Sequence, residues 1–199
     1  MVLIAKHLPA FRAIGFFFVA ILSIFLFFNG NIKAQSCNPL PSFDVTYTDG
    51  NIINATLLID KKIRVTGTVT FNTLTMRSCT LLMDPGANII IKKSFSMSKL
   101  SSGNPSIIYG CVGLWNSIQI NAGASVKWSD CVIQNGNKGL LLMNGYKGAE
   151  SFMSRCKFIN NITGITAWDI SALSFSYFAQ NEFRYDGNPS SMSKNSCNW

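Results

Sequence analysis

The chain has 199 residues, a formal charge of +8 and a single histidine, His7, close to its start. The basic residues are scattered, with only the short pairs Lys61-Lys62 and Lys92-Lys93, so no stripe suggests nucleic acid. Beyond His7 there is no imidazole base, no partner for a Ser-His-Asp or Cys-His pair, and no His-ligated metal.

The first segment reads as a secretory signal peptide. Lys6 and Arg12 make a positive start, and an apolar run from Ala13 to Phe28 is broken only by Ser23. A polar step from Asn29 to Ala34 follows, so residues 1–34 are expected to be cleaved off after Ala34. The competing reading, an uncleaved anchor, needs about 20 apolar residues, and this run has 16. Lipid attachment at Cys37 would want a Leu-led approach, which Lys33-Ala34-Gln35-Ser36 lacks. Removing the segment leaves 35–199, long enough for one domain. Three of the 17 basic residues leave with it, which brings the formal charge to +5. The expected address is secreted, extracellular or cell-surface, with no stable membrane span after cleavage.

All six cysteines (Cys37, Cys79, Cys111, Cys131, Cys156, Cys197) lie in the mature part. An even number in an exported chain permits disulfides in any of 15 connectivities. No CxxC pair points to zinc.

After a turn-rich lead-in at 35–42, the apolar pattern has period two. Phe43, Val45 and Tyr47 alternate with polar residues, as do Ile63 through Phe71, Leu74/Met76, Ile89/Ile91, Phe95/Met97, Ile118/Ile120 and Val126/Trp128. Short alternating runs bounded by Asn, Gly, Asp and Pro are strands. Turns are expected at Asp84-Pro85-Gly86-Ala87-Asn88, at Asn121-Ala122-Gly123-Ala124 and at Lys147-Gly148-Ala149, with glycine supplying the positive φ.

From Gly123 to Phe183 the sequence repeats itself at a constant interval of 25. Gly123-Ala124 returns as Gly148-Ala149, Cys131 as Cys156, Asn135 as Asn160, Gly139 as Gly164 and Leu140 as Ile165, while Ile133 returns as Phe158 and Phe183. Sliding 122–146 onto 147–171 gives six identities in 25 positions, where random pairing would give about one or two. A fixed period of this size means one unit stacked on its copies. Leucine-rich repeats would need a Leu/Asn consensus that is absent. A right-handed parallel β-helix of six or seven coils, three short strands to a coil, fits best. The interval from Gly86 to Gly123 is 37, so the polar break at 98–106 is expected to be a loop extruded from one coil.

Stacked coils turn repeated positions into ladders about 4.8 Å apart. Ile133, Phe158 and Phe183 are expected inside, with Leu140 on Ile165. Asn135 over Asn160 would be an amide ladder, and Asp130 over Arg155 a surface ion pair. Cys131 over Cys156 is read as two small core cysteines rather than a bridge, because parallel Cβ vectors suit a disulfide poorly.

From Trp115 to Ala124, then Cys131-Val132-Ile133-Gln134-Asn135-Gly136 and Gly139-Leu140, the chain resembles the pectin-lyase-like parallel β-helix repeat of secreted bacterial proteins. The pattern recurs at Cys156-Lys157-Phe158-Ile159-Asn160-Asn161 and Gly164-Ile165. The likeness is clear over about 80–185 and weaker from 43 to 79. It implies the fold, and enzymes on that fold are mainly polysaccharide lyases and glycoside hydrolases. Hydrolases of the polygalacturonase type use an Asp-Asp pair, a Gly-His-Gly and an Arg-x-Lys. Here only the last spacing occurs, as Arg155-Cys156-Lys157. Pectate-type lyases hold calcium with several carboxylates, and none of the mature acids repeats at 25 to make an acidic ladder. Glu182, Arg184 and Asp186 are expected to lie across coils from Asp130, Arg155 and Lys157 as surface charges.

No catalytic residue, cofactor or metal is therefore assigned. Phe152 and Tyr177, 25 apart, are candidates for an outer platform that stacks sugar, and Trp168 and Tyr146, which lie near loops, are further exposed-aromatic candidates. Trp115 and Trp128, in phase with apolar neighbours, are expected in the core. The expected function is a secreted non-catalytic surface module whose partner is a polysaccharide or a cell-surface protein. The alternatives are a divergent or truncated polysaccharide lyase and a fragment of a longer β-helix.

Overall fold

The computed structural model describes residues 42–111, 113–170 and 173–186. The expected signal peptide at 1–34, as well as Cys37 and Cys197, lies outside the described residues.

Sixteen strands, β1 to β16 in chain order, form two sheets, and every pairing among the described residues is parallel. The described residues are all-β. Their only helical element is one 3-10 turn at Gly148–Glu150. The seven-stranded sheet contains β1 (Val45–Tyr47), β3 (Lys62–Val65), β5 (Thr80–Met83), β7 (Ser106–Gly110), β10 (Cys131–Gln134), β13 (Lys157–Ile159) and β16 (Glu182–Arg184), in that order. The nine-stranded sheet begins with three long strands, β2 (Ile52–Ile59), β4 (Thr68–Arg77) and β6 (Asn88–Ser98). It then forks. The first half of β6 pairs with β8 (Trp115–Ile120), and its second half with β9 (Ser125–Ser129). One branch continues through β11 (Gly136–Met143) to β14 (Thr163–Trp168), the other through β12 (Phe152–Ser154) to β15 (Tyr177–Ala179).

The chain thus visits the two sheets in turn, and each return lands one strand further along. One such circuit is called a rung below. Inward positions of each strand stack on those of the next. Ile133 faces Phe158, Phe158 faces Phe183, and Leu140 faces Ile165, as the period of 25 predicts. The Phe158 and Phe183 rings stack at 4.7 Å and 7°. Trp115 and Trp128 are fully buried. Each large apolar side chain taken out of water contributes about 1.5–3 kcal/mol, and the buried column runs continuously from Ile63 to Phe158.

Three expectations change in the first rungs. From β1 to β5 the register advances by 18, through Val45, Ile63 and Leu81. There each rung has two strands rather than three, because β2, β4 and β6 each span the whole nine-stranded sheet. The Gly86 turn does not stack under Gly123. The Gly86 N–H donates to Leu114 O at 3.0 Å, while the Gly123 turn grows from a kink in β6 at Lys92-Lys93, where one extra residue sits opposite β4. The polar break, by contrast, is the extruded loop expected from the sequence: it lies between β6 and β7, at the corner where the rung before has only Ser78 and Cys79 between strands.

Two details of the later repeat also differ. The partner of the Gly123 turn (φ 75°) is Gly145 (φ 80°), whose carbonyl accepts from the Gly123 N–H at 2.7 Å. Gly148 instead opens the 3-10 turn, where Ser174 leaves no room for a Cβ. Asn135 and Asn160 both take the left-handed corner conformation, but their amides bond backbone rather than each other. Asn135 Nδ2 donates to Gly110 O at 2.8 Å, and Asn160 Oδ1 accepts from the Asp186 N–H at 2.7 Å. An asparagine at such a corner tolerates positive φ and also satisfies a neighbouring rung's backbone.

Candidate functional site

Where β6 forks, the later rungs gain a corner that the earlier ones lack. Three successive corners follow β8, β11 and β14. Each is turned outward by a residue with positive φ: Gly123, Gly145 and Asp169 (φ 55°). The register between β11 and β14 sets Met143 opposite Trp168, and Leu142 opposite Ile120 one residue before Asn121. Two short columns result, Asn121–Met143–Trp168 and Ala122–Asn144–Asp169. Together they line an open cleft of about 460 Å3.

Trp168 is the last residue of β14 and is 58% exposed. Lys138 Nζ lies 5.9 Å from its ring centroid, a cation-π contact that helps fix the indole. Asn144 Nδ2 reaches Asp169 Oδ2 at 3.5 Å, and Gln119 Nε2 holds Asn121 Oδ1 at 2.7 Å. The cleft therefore offers one flat aromatic wall and, around it, amide and carboxylate groups that can exchange hydrogen bonds with hydroxyls. Asp169 is its single carboxylate. Hydrolysis of a glycosidic bond by the usual mechanism needs two carboxyl groups facing it.

The other aromatic candidates fall elsewhere. Phe152 faces Tyr177 across β12 and β15, with Lys127 on the opposite side of Phe152. Tyr177 is 55% exposed, and Phe152 is half-buried. They make an outward column, as their spacing predicts, but on a different branch of the forked sheet from Trp168. Tyr146 is not a surface residue. It is buried in the core, and its hydroxyl bonds to Ser174 O and accepts from the Ser174 N–H at 3.0 Å.

The charged residues pair off along the outside. Arg155 Nε and Nη2 reach Asp130 Oδ1 and Oδ2 at 2.8 and 2.7 Å, as the repeat predicts. This guanidinium holds the Asp130 carboxyl below the usual carboxylate range, and the same pairing raises the Arg155 pKa. Lys157 meets Glu182 at 3.4 Å, and Arg184 bridges Glu182 and Asp186 at 3.1 and 3.0 Å. Among the described residues no three His, Cys, Asp or Glu side chains are grouped to hold a metal, and no helix is long and apolar enough to cross a membrane.

Trp168 was legible in the sequence as a candidate. Asn121, Met143, Asn144 and Asp169 were not, although Met143 and Asn144 stand one full repeat before Trp168 and Asp169, a signal the periodicity itself carries. Compared with known proteins, the chain matches no family model, no curated protein and no solved structure.

Proposed function

We propose that this chain is a secreted right-handed parallel β-helix, of the pectin-lyase-like kind, that binds a polysaccharide without cleaving it. Chain sterics support the handedness. A strand joined to a parallel neighbour in the same sheet by a crossover turns right-handed in about 98% of cases, and each step from β1 to β16 is such a crossover. Export is supported by the charged, apolar and polar order of residues 1–34 and by Cys111, which is disulfide-bonded.

The observation that carries binding is Trp168, more than half exposed at the wall of a cleft whose other polar groups are Asn121, Asn144 and Asp169. An indole in water costs free energy that a sugar's C–H face recovers, while the hydroxyls need donors and acceptors at the rim. Non-catalytic binding is supported by the disposition of charge. The cleft holds one carboxylate, and Asp130, Glu182 and Asp186 are engaged with arginines.

The test is affinity electrophoresis of the protein through gels containing homogalacturonan, galactan, xylan or β-glucan. At least one polymer is expected to retard it, Trp168→Ala is expected to abolish the retardation, and melting should be unchanged. Equal retardation of Trp168→Ala, or loss of it only in Phe152→Ala or Tyr177→Ala, contradicts the assignment of the cleft. A new unsaturated product from any polymer favours the lyase instead.

A further inference from the structure

Cys79, Cys131 and Cys156 occupy one place in three different rungs. Each directly follows a corner residue of positive φ: Ser78 (52°), Asp130 (50°) and Arg155 (52°). The strand register orders the column. The Cys79 N–H donates to Ser106 Oγ at 3.2 Å, and Ser106 faces Cys131. Cys131 stands opposite Cys156, one residue before the Val132–Lys157 pair. The Cys156 N–H then donates to Asn181 Oδ1 at 3.0 Å. Inside the fold the order is Cys79, Ser106, Cys131, Cys156, Asn181.

Cys131 and Cys156 are fully buried free thiols in this structure, as the repeat suggests, and their sulfurs are 2.8 Å apart. Non-bonded heavy atoms rest at about 3.5–4 Å, and a disulfide closes at about 2 Å. The parallel strand spacing of about 4.8 Å lies within the Cα separation that a disulfide accepts. Parallel Cβ vectors would hold two mid-strand cysteines apart. Here each cysteine leaves a left-handed corner, and the two sulfurs already converge.

We propose that Cys131 and Cys156 close to a disulfide across successive strands, while the interposed Ser106 keeps Cys79 a thiol. The two thiols lose two protons and pass two electrons to the disulfide of an oxidant, either a thiol oxidase or oxidised glutathione. One S–S bond forms in the protein as one breaks in the oxidant, which leaves as two thiols. The exchange precedes burial of the rung, because the folded interior excludes the oxidant and burial pushes the Cys131 thiol up, away from the reactive thiolate. The closed segment carries Met143 and Asn144, so the bond also tethers the middle of the cleft.

The test is to fold the full chain in a glutathione redox buffer, unfold it in alkylating agent without reductant, and map the cysteines by mass after digestion. Folding in glutathione makes the result independent of export and of sugar binding. The expected result is alkylated Cys79 and a cross-linked peptide pair joining Cys131 to Cys156, two hydrogens lighter than the thiols. Cys131→Ala, Cys156→Ala and the double variant should then share one melting temperature, about 10 °C below the parent. Alkylation of Cys131 and Cys156 as complete as that of Cys79 overturns the proposal. So do additive losses in the two single variants, which would mean two independent packing contacts.

Discussion

The first three rungs and the last four solve the same packing problem at different widths. From Val45 to Leu81 the strands of the seven-stranded sheet advance by 18, and from Ile108 to Phe183 by 25. The narrow rungs are filled by Ile, Val, Leu, Phe and Met. The wide ones contain Trp115, Trp128 and the Phe158–Phe183 stack. Glycine use changes with width. In the narrow part Gly50, Gly67 and Gly86 all sit at positive φ, where they turn the chain. In the wide part Gly123 and Gly145 still turn the chain, and Gly136 and Gly164 in addition make room inside, since a Cβ there would overlap Trp115 or Phe183. Width is set by the corner that begins at the fork of β6, and the cleft lies on that corner. A single outward turn therefore accounts for the larger core, the interior glycines and the candidate site together.

The largest expected effect is on the wide core. Phe158→Asp places a charge between the Trp128 and Phe183 rings inside the apolar core, and should abolish the cooperative thermal transition followed by circular dichroism. Next come deletions matched to the local period. Removing Ile63 to Thr80, one narrow rung, or Val132 to Cys156, one wide rung, keeps the strands in phase and should leave a cooperative but earlier melt. Exchanging the two lengths moves inward residues to the outside and should leave none. Gly136→Ala is milder. Its Cβ would lie 2.6 Å from the Trp115 ring, which is pinned by Nε1 donating to Gln134 O at 2.8 Å. Overpacking of this kind costs about 1–3 kcal/mol, or roughly 3–10 °C of melting temperature.

The smallest effect concerns the outer charges, which do not depend on width. The Asp130 carboxyl titrates below its unfolded value because of Arg155, so its contribution is complete above the ordinary carboxylate range and is lost as pH falls through the lower folded value. Asp130→Asn should lower melting at neutral pH by only about a degree or two, and the difference should vanish in acid.

Much of the wide half was legible because its repeats place like residues at one spacing. Ile133, Phe158 and Phe183 announce their column, and Asp130 and Arg155 their ion pair. The narrow half obeys the same alternation, but its shorter spacing links Val45, Ile63 and Leu81, which are interchangeable core residues without a distinctive neighbour. Period two reveals such strands, but the turn glycines Gly50, Gly67 and Gly86 stand 17 and then 19 apart, so they mark no even return, and no cysteine does. Glycine misled at Gly148, where an identity in sequence hides two backbone roles. In the cleft, the indole stood out by its size. Asn144 and Asp169 did not, since polar turn residues look alike until the register sets them side by side.

The central claim is that positions 18 apart before Met83 and 25 apart after Ser106 lie directly across from one another on parallel strands. Interstrand proton–proton Overhauser contacts in isotope-labelled protein test it most directly. The account predicts contacts of the parallel type linking Ile63 to Leu81, Ile133 to Phe158 and Phe158 to Phe183. Antiparallel contacts, or one spacing throughout the chain, would contradict it.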